Sequence, residues 1–188
     1  MARPSTKRDE IIRVALRLFA EKGVKATTIR DIAQAAGVTE GALYRHFTSK
    51  EELARTLFAS GAELLYGRLE AASEGLTQAP ERLRAMVCAF FDFADREPGV
   101  FGYVMTRHYE GLGEIPATQR LPKSLFVATI ALGMERGELR AMDPELAAAM
   151  VTGLAIQAIF FLKRGVIRQD PGQVRCEVCN AVHRLLAV

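Results

Sequence analysis

Between Thr28 and Lys50 the chain sets out hydroxyls, cations and a phenol at spacings that suit the backbone and base edges of a nucleic acid. Tyr44 and His46 can donate to phosphate oxygens, and Lys50 adds a positive charge beside the free amides of a helix start. Thr28 holds the equivalent position one helix earlier. Glu40 can accept from a cytosine amino group and Ala42 can touch a thymine methyl. Thr39 is a further candidate reader, Arg30 and Arg45 project outward, and Gly41 has no side chain to keep the backbone from a groove.

Such a set is useful only if short rigid elements hold it. In TTIRDIAQAAGVTEGALYRHF, Thr28 is a good N-cap and Asp31 can reach back to a free amide, a near capping box. Ile32, Ala33 and Ala36 form a compact apolar face, and Gly37 stands where the chain must reverse, because a left-handed cap is cheap for glycine. Val38 pins the turn, Thr39 caps the next helix, and Leu43 is its buried anchor. Ser49 to Glu52 reads as an S-x-x-E capping box that starts a third helix. This pattern predicts a helix-turn-helix.

The segment from about Thr6 to Leu57 resembles the DNA-binding domain of the tetracycline-repressor family of bacterial transcription regulators. Ala20, Gly23, Thr27, Thr28, Ile32, Ala33, Ala36, Gly37, Val38, Gly41, Leu43, Tyr44, Phe47, Lys50, Glu51 and Leu53 carry the likeness. The resemblance implies phosphate contacts at Thr28, Tyr44, His46 and Lys50. It also sets Arg30 at a position that reads guanine in some members. For the remainder it implies a helical domain with an effector pocket between the fourth to eighth helices and a dimer interface on the last two.

Charge distribution agrees with that division. Residues 1–60 hold 11 Lys/Arg against 7 Asp/Glu, whereas residues 61–188 hold 14 against 15. The expected domains are a DNA-binding domain over 1–50 and a ligand-binding and dimerisation domain over 51–188. Apolar residues recur at three- and four-residue intervals throughout, which predicts an all-α fold of about nine helices. The polar, charged start has no apolar leader and the three cysteines are odd in number, so a reduced cytoplasmic setting is expected. Leu146 to Leu162 carries no charge but is short for a membrane span and rich in small side chains. A helix buried all round or shared between subunits is expected instead.

The second domain has no catalytic motif. Phe90, Phe93, Phe101, Met105, Phe126, Ile130 and Met134 are candidate walls for a hydrophobic or amphipathic effector, with Asp92, Arg107 and His108 as possible polar contacts. For any one of these apolar residues plain core is the favoured role, and the pocket is expected of them only as a set. Met150, Gly153, Leu154, Gln157, Phe161, Val178, Val182 and Leu185 are the candidate dimer face, where small residues permit close helix approach. Cys176, Cys179 and His183 share one helix face at spacings a metal or redox pair would need, but packing is the expected role and no metal site or cofactor is assigned. The reading is a ligand-responsive regulator, a repressor in the first instance, that binds near-palindromic operator DNA as a homodimer and is not an enzyme. A same-fold activator, a redox-responsive regulator, and a small helical enzyme or carrier remain as rivals.

Overall fold

Repeated cap-and-stop chemistry cuts the chain into nine helical elements among the described residues, with no strand. The computed structural model describes residues 6–109 and 120–188, without the side chains of residues 20, 25 and 106–109. The elements are α1 (Lys7–Ala26), α2 (Ile29–Ala35), α3 (Glu40–Tyr44), α4 (Lys50–Ser73), α5 (Ala79–Arg96), α6 (Pro98–Tyr109), α7 (Pro122–Glu135), α8 (Pro144–Lys163) and α9 (Pro171–Leu186). Gly23 interrupts α1 with φ 78° and ψ 159°, a backbone that glycine adopts without strain, and the regular helix ends there. The α9 start differs from expectation. Asp170-Pro171-Gly172 reads as a turn, yet Asp170 accepts from the Gln173 amide and Pro171 is the first helical residue. That is the same device with which Asp143-Pro144 opens α8.

The described residues divide into two compact units, 6–61 with 97–109, and 62–96 with 120–188. This partition by packing differs from a cut at residue 50, because the first half of α4 and all of α6 belong with α1. In the first unit Phe19 stacks on Tyr103 with centroids 5.8 Å apart, and the Tyr103 hydroxyl donates to the Ala54 carbonyl at 2.9 Å. The close approach of α4 and α6 needs Gly61. A Cβ there would lie 2.7 Å from Val104 Cγ2 and 2.9 Å from Val100 Cγ1.

In the second unit, α5 packs on α7, α8 and α9, and α8 lies against α7 and α9. The α8 helix is long and apolar enough to cross a membrane by length and composition, but it is not buried all round. Ala147, Ala148, Val151, Ala155 and Ile159 face inward. Leu146, Met150, Leu154 and Phe161 stay 36–53% exposed, with Gln157 exposed among them and Gly153 half-buried. Val178 and Val182, expected on the dimer face, are instead buried inside the subunit, and Leu185 is half-buried. The reason is that the apolar stripe of α9 (Val174, Val178, Cys179, Val182, Leu186) is consumed by its own neighbours.

Candidate nucleic-acid interface

The α2–α3 pair is built from caps outward. Thr28 Oγ1 accepts from the Asp31 amide at 3.1 Å, and Asp31 Oδ2 accepts from the Thr28 amide at 2.9 Å, a complete capping box. The two Thr28 contacts, backbone first, hold the Asp31 carboxyl below its usual range, so it remains an anion at the helix start. Gly37 makes the turn at φ 63°, and Thr39 Oγ1 accepts from the Ala42 amide at 3.1 Å. Ile32, Ala33, Ala36 and Leu43 are buried, as the spacing required. The short α3 ends at Tyr44, earlier than the run to Phe47 suggests.

This packing leaves the candidate readers on the outside. Thr28, Arg30, Thr39, Glu40, Gly41, Arg45 and His46 are exposed, Tyr44 is 49% exposed, and Ala42 is half-buried. Behind them Phe47 is sealed in the core at 1% exposure, with the Arg8 guanidinium 5.2 Å from its ring centroid. Phe47 therefore anchors the motif to α1.

Lys50 and the Ser49–Glu52 box behave differently from expectation. Lys50 is half-buried and its ammonium donates to the Thr27 carbonyl at 3.1 Å, so its charge is already engaged in tying α4 to the start of α2. Thr27 itself is fully buried and donates from Oγ1 to the Gly23 carbonyl at 2.8 Å, a role that spacing does not reveal. At the start of α4 only half of the expected box forms. Ser49 Oγ accepts from the Glu52 amide at 3.0 Å, but the Glu52 carboxylate reaches past Ser49 to the hydroxyl and amide of Thr48. Thr48 supplies two donors where Ser49 would supply one.

The effector-wall candidates do not fall into one unit. Phe101 and Met105 are buried in the first unit. Phe90, Phe93, Phe126 and Ile130 are buried in the second, with Phe90 and Phe126 edge to face at 6.1 Å and Met134 half-buried beside them in sequence. Asp92 is exposed and paired with Arg175 at 2.8 Å, so it points to no apolar site. The side chains of residues 107 and 108, and the connector 111–116, lie outside the described residues. On α9, Cys176 and His183 are exposed while Cys179 is buried, so the three do not share the packed stripe. Among the described residues no cluster of three or more His, Cys, Asp or Glu could hold a metal.

Residues 11–57 match the family model of bacterial regulatory proteins, tetR family. The transcriptional repressor KstR2 of Rhodococcus jostii is 30% identical over 171 residues, covering 86% of this chain and 82% of that protein. The chain belongs to the TetR family of bacterial regulators. KstR2 of Mycolicibacterium smegmatis is 37% identical over 91 residues, a match to 48% of this chain. There the chain spans only 44% of the relative's length. A solved TetR-family regulator from Rhodococcus RHA1 superposes with a TM-score of 0.81 at 26% identity, covering 97% of this chain and 98% of that one. These TetR-family relatives are regulators and not enzymes, which removes the helical-enzyme reading.

Proposed function

We propose that this TetR-family chain is a transcriptional repressor that binds a near-palindromic operator as a homodimer and is released by a small hydrophobic effector. The observation that carries DNA binding is the capped α2–α3 pair, which is anchored by buried Leu43 and Phe47 and exposes Tyr44, Arg30, Glu40 and His46 together on its outer side. Repression, rather than activation, is what the name of the KstR2 relatives supports. A DNA-bound role carries with it a cytoplasmic location and no membrane partner.

The roles divide by chemistry. Tyr44, His46 and Thr28 offer donors to phosphates, and Arg45 offers a cation; Arg30, Thr39, Glu40 and Ala42 read base edges, with Gly41 admitting the backbone. Lys50 acts through its bond to Thr27, which fixes the angle between α4 and α2, as much as through its charge. Tyr44→Phe removes one donor and is expected to weaken binding to every sequence by about 0.5–1.5 kcal/mol. Arg30→Ala is expected to cost about 1–3 kcal/mol at one base pair and to relax preference there. Fluorescence-anisotropy titrations against single-substituted operators separate the two. Uniform loss from Arg30→Ala, or none from Tyr44→Phe, contradicts the assignment.

Dimerisation is supported by the exposed stripe of Leu146, Met150, Leu154 and Phe161 on α8, an apolar face that a second copy would cover by two-fold symmetry. Gly153 and Gln157 lie within it, and Gly153 allows close approach. For the effector, the support is the group of large apolar side chains that α5 and α7 contribute: Phe90, Phe93, Phe126, Ile130 and Met134. Such walls suit a hydrophobic or amphipathic molecule, which would act only through tighter binding to the state that does not bind DNA. The α4 helix, continuous from Lys50 to Ser73, is the element able to carry that bias. A lipophilic effector at about 100 times its dissociation constant is expected to stabilise the fold by about 2.7 kcal/mol. A thermal-shift screen reads this directly, and hits confined to nucleotides or metals would overturn the assignment.

A further inference from the structure

Cys88 on α5 and Cys179 on α9 are 91 positions apart, yet their sulfurs lie 3.8 Å from each other. Neither belongs to the DNA-facing surface or to the apolar stripe of α8. The helices that carry them pack on each other, and the Arg175–Asp92 ion pair bridges them at the surface at 2.8 Å. Cys88 is half-buried, and Cys179, itself mostly buried, lines a surface cleft of about 300 Å³ together with Arg84, Leu139, Asn180 and His183. Cys88 does not line that cleft, but it is only half-buried, so a small polar molecule can reach the pair without unfolding the unit.

We propose that Cys88 and Cys179 form a hydroperoxide-reactive dithiol, in which Cys88 is oxidised first and Cys179 resolves it to a disulfide. The Cys88 thiolate attacks the terminal oxygen of the hydroperoxide. An S–O bond forms, the O–O bond breaks, and the leaving alkoxide or hydroxide takes a proton from water. The Cys179 sulfur then attacks Cys88 Sγ; an S–S bond forms, the S–O bond breaks, and the departing hydroxide leaves as water with the Cys179 proton. Two thiols and one hydroperoxide become one disulfide, one alcohol or water, and one further water. This goes beyond DNA binding and does not depend on it.

Electrostatics supply the division of labour. The contact with the Cys179 thiol pulls the Cys88 pKa down to about 6, with Arg175 and Arg84 adding to the effect against burial and the Asp92 carboxylate. The same contact, with burial, pushes the Cys179 thiol up, so it keeps its proton until Cys88 has lost its charge. Cys176 is more exposed than either but has no such partner in sulfur contact. At pH 6 a thiol with a pKa of about 6 is about half ionised, against roughly 0.3% for an ordinary thiol near 8.5. Lower intrinsic nucleophilicity takes back about an order of magnitude, which leaves a net advantage of about tenfold.

The test treats the reduced full-length protein with hydrogen peroxide at pH 6, quenches with an alkylating agent and maps the peptides by mass. The expected product has lost two hydrogen masses, links the Cys88 and Cys179 peptides within one chain, and carries alkylated Cys176. Cys88 is expected to disappear about tenfold faster than the thiol of an unstructured cysteine peptide. Cys179→Ser should stop at a sulfenic acid on Cys88 that a dimedone probe captures, and Cys176→Ser should behave as the parent. Oxidation of Cys176 first, a link that includes Cys176, or a Cys88 rate equal to that of the free peptide overturns the proposal. So does a Cys88→Ser protein that melts like the parent yet oxidises at Cys179 just as fast. Each readout is a covalent mass, so failure of operator binding leaves them unchanged.

Discussion

A Leu154→Arg chain is expected to migrate as a single copy and to lose operator affinity by about two to four orders of magnitude. Leu154 sits in the middle of the exposed α8 stripe, one turn from Met150 and two turns from Phe161. By two-fold symmetry the substitution enters the contact twice, and each desolvated cation costs several kcal/mol unless paired. The opposite face of α8 is packed inside its own subunit through Ala147, Val151, Ala155 and Ile159, so the monomer keeps its fold. The loss on DNA follows because a dimer binds its second half-site at high effective concentration, a gain of about 10²–10⁴ that a monomer forfeits. Light scattering gives the mass and circular dichroism the helix content. A mass of two chains with undiminished affinity would move the interface off α8.

Phe47→Ala is expected to cost the first unit about 3–5 kcal/mol, a large part of the 5–15 kcal/mol that holds an ordinary domain. The ring is 1% exposed, lies under the Arg8 guanidinium, and follows directly on the short α3. Its removal leaves a cavity behind the recognition surface. The melting temperature should fall by more than about 10 °C for a unit of this size, and operator binding should be lost at growth temperature. Phe47→Leu refills most of the volume and should recover more than half of both. A melt shift of Phe47→Ala below about 3 °C contradicts the anchoring role.

Local chemistry explains which parts of the molecule could be read in advance. Caps and glycine turns act over three or four residues, so Thr28 with Asp31, Gly37 and Thr39 are all visible in the chain and all take the expected form. Contacts between distant elements leave no such trace. Lys50 looks like a free cation until Thr27, 23 positions away, is seen to accept from it. Val178 and Val182 share a stripe that could serve either a partner or the subunit's own α5 and α8, and periodicity alone does not tell which. The aromatic residues of α5, α6 and α7 read as one set by composition, although α6 packs with α1 and the others with one another. Cys88 reads in the chain as a lone mid-helix cysteine, because its partner lies on the last helix.

The most direct test of the account is selection of bound sequences from a random double-stranded DNA pool, followed by determination of the mass of the complex with the winning sequence. Enrichment is expected of an inverted repeat whose half-sites lie about one helical turn or a multiple of it apart, roughly 10–10.5 bp per turn. An even number of chains per site is expected too, with loss of the repeat when Arg30 and Glu40 are replaced together. Recovery of unenriched DNA, or of a single asymmetric half-site bound by one chain, would contradict it.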